Sequence, residues 1–121
     1  ALALYGAAKI HEALGAKAQA QYTEQFSHME LFSLTPRDAV LIIDSQATQD
    51  PTGDRLLSHL QETGFKAFKL RSEETEPSAA SVATAVHLQA LAFTAATSHG
   101  RRSLSFVEDR GRLRLSDHMI Y

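Results

Sequence analysis

Cysteine is absent from the 121-residue chain, and that one absence removes several chemistries together. There can be no disulfide, no thiolate nucleophile and no thiol-ligated metal. A chain without disulfides suits a reducing compartment, so the cytoplasm is the expected location. Glycine-rich phosphate loops are missing too, since neither GxxxxGK(S/T) nor GxGxxG occurs. The lack of GxSxG leaves a serine hydrolase without its nucleophile elbow. His11, His59, His87, His99 and His118 are scattered without metal-ligand spacing. His11–Glu12 does not open an HExxH motif, because the second histidine is missing. Neither a metal nor a cofactor is expected.

Long apolar runs are read as absent as well. No stretch approaches the ~20 residues that cross a bilayer, so no membrane span is expected. The apolar N-terminal stretch has no basic leader of the signal-peptide kind. The chain opens without Met, in what reads as the middle of a helix, which predicts a portion of a longer protein. Net charge is -2 and the pI is near 6.3, so no global field recruits nucleic acid or an anionic membrane. Charge is uneven all the same. Arg101, Arg102, Arg110, Arg112 and Arg114 crowd the C-terminal end, and Glu73, Glu74 and Glu76 form an acidic loop. The arginines read either as solvated surface or as an anion or interface patch.

What is present is an ordinary globular balance, 44% hydrophobic and 21% charged, in a length that suits one domain. "ALALYGAAKIHEALG" reads as a helix with Ala3, Ala7, Ile10 and Leu14 as its buried stripe and Gly15 as its C-terminal cap. Tyr5, Lys9 and Glu12 fall on the opposite face. "AKAQAQ" alternates and predicts a short strand. "TEQFSHMELFSL" predicts a short helix capped by Thr23, followed by the turn "TPRD". "AVLIID" is the clearest strand, apolar enough to be buried on both faces. A polar loop leads from it into the helix "DRLLSHLQET", which stops at Gly64, and "FKAFKL" is the next strand. This order is a βαβ unit with a right-handed crossover. The long helix "AASVATAVHLQALAFTAATS" is apolar nearly all round, predicts burial against another subunit, and ends at Gly100. "SLSFVEDRGRLRLS" predicts a β-hairpin. The alternation argues for an α/β class, a three-layer αβα sandwich with a mainly parallel sheet. The pattern predicts a sheet incomplete at the N-terminus and a C-terminal hairpin.

Lys9 and Glu12, three apart on one helical face, are close enough to pair. His28 follows a strand and sits in the next short helix. A carboxylate and an imidazole are the usual carriers of protons at carbon and oxygen. On pattern alone Lys9 and Glu12 read as a solvated ion pair and His28 as a surface or capping histidine.

Several segments together resemble the second lobe of the sugar isomerase (SIS) family. That family includes the isomerase part of glutamine–fructose-6-phosphate aminotransferase and the archaeal phosphoglucose/phosphomannose isomerases. "ALYGAAKIHE" is similar to the family helix "ALxGALKLKE", "AKAQAQ" to its strand "HAEA", and "EQFSHMELFSL" to "GELKHGPLALI". "DAVLIID" follows as the family's buried strand does, and "VHLQALAFTAATSHG" is similar to the late helix "PLQLLAYHxAxxxG". Glu12 and His28 stand 16 positions apart, the family's own interval. The resemblance runs to about Gly100, leaving residues 101–121 as a divergent Arg-rich tail on a single lobe, 1–121.

The resemblance implies a flavodoxin-like SIS fold and aldose–ketose isomerisation of a hexose phosphate. It makes Glu12 the base that carries a proton between C1 and C2 through an enediol. It assigns His28 to ring opening and Lys9 to the developing enediolate charge. Gln25 stands where the family has a glutamate three before the histidine, with Glu24 beside it, so both are candidates for substrate binding. The family's turn "HGP" reads "HME" here. The implied partners are a sugar phosphate, a first SIS lobe carrying the phosphate loop, and a second copy in a homodimer. With no cysteine, glutaminase chemistry is outside the reading. The alternative of another class is a non-catalytic module of the same fold that senses a sugar phosphate or drives oligomerisation.

Overall fold

A computed structural model describes residues 1–47 and 51–108, together with Gly111 and Arg114. In chain order the elements are α1 (Leu2–Leu14), α2 (Thr23–His28), a 3-10 turn (Glu30–Ser33) and β1 (Ala39–Ser45). Then come α3 (Thr52–Glu62), β2 (Lys66–Ser72), α4 (Pro77–Ser98) and α5 (Ser105–Glu108). The chain is of mixed α/β class. It divides into two compact units, one of Ala1, Ala3–Ala20 and Ala85–Tyr121, the other of Leu2 and Gln21–Thr84.

The two-stranded sheet lies in the second unit. β1 and β2 pair in parallel, from Ala39 opposite Lys66 to Ser45 opposite Ser72, and α3 connects them. This is the βαβ unit that the run "AVLIID" and the periodic "DRLLSHLQET" predict. α3 packs on both strands. Gly53 lets its first turn approach the sheet, because a Cβ there would stand 3.3 Å from Ile42 Cγ2. At the other end Leu60 is 1% exposed and anchors the helix. Gly64 then stops α3 with φ +85°, where the Gly64 and Phe65 amides donate back to Gln61 O and Leu60 O. That is a Schellman ending, and glycine is the residue that adopts it without strain.

β1 does not become buried on both faces. Ile42, paired with Lys69, lies on the face that α3 covers, whereas Leu41 and its partner Phe68 are 37% and 60% exposed. A two-stranded sheet with one covering helix buries one face only.

In the first unit, α1 packs by small residues. Ala13, Ala92 and Ala96 form a buried cluster joined by Ile10 and Leu14. Gly6 meets Leu88 so closely that an added Cβ would lie 3.0 Å from Leu88 Cδ2. Alanine and glycine let helices approach without side-chain entropy to lose.

Three further expectations are corrected. "AKAQAQ", residues 16–21, is irregular rather than a strand. Ala and Gln carry little β preference, and His11 Nε2 lies 2.9 Å from Ala18 O, an alternative to a ladder. Thr23 opens α2 as its first helical residue and makes no side-chain cap. The start of the expected hairpin is the helix α5, while of its turn and return strand only Gly111 and Arg114 are among the described residues, and Arg110, Arg112 and His118 lie outside them. α4, expected to be buried against another subunit, is buried within this chain along one stripe. Ala80, Thr84, Leu88, Ala92 and Ala96 are buried at every fourth position, while Val82, Val86 and Phe93 are 66%, 56% and 68% exposed.

α4 also has 22 residues without Asp, Glu, Lys or Arg, and by length and composition it is long and apolar enough to cross a membrane. This overturns the expectation that no stretch approaches the length of a span. A core helix passes the same test, and in α4 28% of the apolar window is buried, along the fourfold stripe. Its start is set by Glu76, whose carboxylate accepts from the Ser78 hydroxyl and from the Ala79 amide at 2.7 Å, with Pro77 in the first turn. These bonds hold the Glu76 carboxyl below its ordinary value, the Ser78 hydroxyl contributing most.

Candidate functional site

α1 is the element that carries Lys9 and Glu12, and the helical repeat places them with Tyr5 along one side. Lys9 Nζ lies 2.6 Å from Glu12 Oε2, in a pair that is partly exposed. The same ammonium sits 5.3 Å from the Tyr5 ring centroid, within cation–π range. The hydrogen bond that Lys9 donates to Glu12 is the main cause that raises the Lys9 pKa, against a smaller opposing effect of burial. The result is a carboxylate and a fixed cation about one helical turn apart, with an aromatic face on the cation's other side. Such a group can accept a proton while a positive charge stands beside the acceptor.

α2 carries the other residues read from the sequence. Glu24, Gln25 and His28 are all exposed on this six-residue helix of the second unit. Met29 ends it, with φ −125° and ψ −70°, and donates its amide to Gln25 O. The backbone then re-forms as the 3-10 turn, so "HME" continues as helical turns. Glu30 in that turn accepts from Gln21 Nε2 at 2.7 Å, and its second oxygen is buried without a hydrogen-bond partner. Thus the structure joins Lys9 to Glu12 in the first unit and groups Glu24, Gln25 and His28 in the second.

Sequence reasoning missed a second charged centre, at the sheet. Lys69 is 11% exposed in its side chain and lies 2.9 Å from Asp44 Oδ2 and 2.5 Å from Asp54 Oδ1. β2 supplies the lysine, β1 the first aspartate and the first turn of α3 the second. Burial is the largest single influence on Lys69 and lowers its pKa. The hydrogen bonds and charges of Asp54 and Asp44 together outweigh it, so the net direction is upward. The signal was a lysine inside an apolar strand and an aspartate closing another, positions that demand partners.

Because the folded-state pKa of Lys69 is raised, its contribution to stability is complete below the ordinary value of 10.5 and is lost as pH rises through the folded value. Thermal unfolding followed from neutral to strongly alkaline pH is therefore expected to show a fall in Tm that sets in above that value. The fall should be shallower in Lys69→Met. Equal alkaline slopes in the two proteins would remove the triad from the account.

Among the described residues no group of three or more His, Asp or Glu is arranged to hold a metal. Comparison with protein-family models, curated proteins and solved structures gives no match to this chain.

Proposed function

We propose that this chain is an SIS-type lobe that takes part in the aldose–ketose isomerisation of a hexose phosphate. The observation that carries the reading is the Lys9–Glu12 pair at 2.6 Å, on a helix whose sequence is similar to the family's base-bearing helix. The βαβ unit after it supports the same reading, since it follows at the family's place in the chain. The finer architecture, a three-layer sandwich with a mainly parallel sheet, belongs to this proposal.

Glu12 takes the proton from C2 of the open-chain aldose and returns it to C1 while the hydroxyl proton passes from O2 to O1, and the reverse reaction runs through the same enediol. Lys9 offsets the negative charge that grows on the enediolate oxygen. His28 exchanges a proton with the ring oxygen during opening. Glu24 and Gln25 bind sugar hydroxyls. The phosphate is held by a first lobe, with this lobe in a homodimer or a two-lobe assembly in the cytoplasm. No metal or cofactor is required by the enediol route, because the proton moves through side chains alone.

The test follows hydrogen exchange at carbon. The protein, as it occurs in the cell, is incubated with glucose 6-phosphate or fructose 6-phosphate in D2O and followed by NMR. Interconversion with deuterium entering at the aldose C2 supports the isomerase. Neither interconversion nor deuterium entry would count against it.

A second reading, a phosphosugar sensor or assembly module, is favoured by the exposed Val82, Val86 and Phe93 of α4. Saturable binding of the same sugars without deuterium entry would support that reading over the first.

A further inference from the structure

The last turn of a helix leaves backbone carbonyls without partners inside the helix. In α1 these belong to the turn that carries Glu12, and the chain satisfies them from about ninety residues away. Ser105 Oγ lies 2.9 Å from His11 O and 2.9 Å from Glu12 O. A hydroxyl has one hydrogen, so the two carbonyls share it. Arg101 Nη2 donates to Leu14 O at 3.1 Å. The guanidinium also brings positive charge to the negative end of the helix dipole.

The donors are themselves held. Arg101 Nη1 pairs with Glu108 Oε2, and Glu108 Oε1 accepts from the Ser103 hydroxyl at 2.7 Å. These bonds hold the Glu108 carboxyl below its ordinary value, with Ser103 the largest cause and Arg101 next. Gly15, at φ +69°, completes the join. Its amide donates to His11 O, and a Cβ there would come 3.3 Å from Ser105 Cβ.

We propose that Ser105 and Arg101 are positioning residues for Glu12, and that Arg101–Glu108 is a clasp that keeps the last turn of α1 wound beneath the carboxylate. The proposal rests on the isomerase reading for its catalytic consequence. The clasp itself rests only on these contacts. Helix termini fray, and a base on a frayed turn spends part of its time away from the reacting carbon. Displacement of about an ångström is enough to cost up to about a hundredfold in rate.

The test compares Ser105→Ala and Ser105→Thr with the wild type. Alanine deletes the donor and favours the helix of α5, so folding is retained. Threonine restores the hydroxyl. In Ser105→Ala the Leu14 and Gly15 amides are expected to exchange with solvent at least about tenfold faster. For turnover, kcat is expected to fall about tenfold or more with KM little changed, and Ser105→Thr recovers both readings. Unchanged amide exchange in Ser105→Ala overturns the clasp whatever the activity. Faster exchange with undiminished kcat overturns the positioning role. If the wild type has no turnover, the isomerase reading falls with that role, and the exchange measurement alone decides the clasp.

Discussion

On the proposed isomerase reading, replacing Glu12 by Gln is expected to lower kcat for hexose-phosphate isomerisation by about a thousandfold, within the range attributed to a positioned general base. The substitution is nearly isosteric, and the amide oxygen of Gln can still accept from Lys9, whose Nζ stands 2.6 Å from the present carboxylate oxygen. Packing of α1 is untouched, because its buried residues are Gly6, Ala7 and Ala13 on other faces. What disappears is the capacity to take a proton from carbon. KM is therefore expected to change little, the pattern of a lost transition-state interaction. Deuterium entry at C2 should fall in parallel with turnover. A variant that retains its rate within a few-fold would end the assignment of Glu12 as the base.

The second large effect concerns the βαβ unit. Leu60→Ala is expected to destabilise the fold by about 2–5 kcal/mol. Leu60 is 1% exposed in α3, the helix that packs on both strands. Truncation removes the transfer free energy of the side chain and leaves a cavity that a single covering helix can fill only in part. The loss is a large share of a typical total of 5–15 kcal/mol. Urea unfolding should show a lower midpoint with an unchanged slope. A cost below about 1 kcal/mol would mean that Leu60 is not the anchor of α3.

Sequence pattern located most elements because local chemistry decides them. Gly15, Gly64 and Gly100 were read as helix stops, and all three adopt positive φ, at 69°, 85° and 73°. "AVLIID" and "FKAFKL" became parallel partners, because a continuous apolar run, a periodic helix and a second run leave few other topologies. The errors share a different origin. Ala and Gln in "AKAQAQ" satisfy an alternation rule while lacking the side chains that hold a ladder, and the segment stayed irregular. The expected hairpin failed at its first strand because Ser105 and Glu108 found partners that favour the short α5. α4 looked apolar all round, yet burial was awarded to one residue in four. Composition does not say which side of a helix will meet a neighbour.

The site was legible to the same extent. That Lys9 would pair with Glu12 followed from their spacing on one helix. His28, Glu24 and Gln25 could be named as a group from the motif, and they share α2. Neither the Asp44–Lys69–Asp54 centre nor the grip of Ser105 and Arg101 on the end of α1 was read from the sequence.

By itself, then, the sequence determined what depends on near neighbours along the chain: the α/β class, the helix ends and the Lys9–Glu12 pair. Periodicity, propensity and capping act within a few residues, so the order of residues is enough. Tertiary structure alone decided which face of β1 is covered, how the Lys69 charge is neutralised and which groups close the last turn of α1. Each depends on contacts between residues from 11 to 94 positions apart, brought together only when burial and long-range hydrogen bonds repay the entropy of closing the chain.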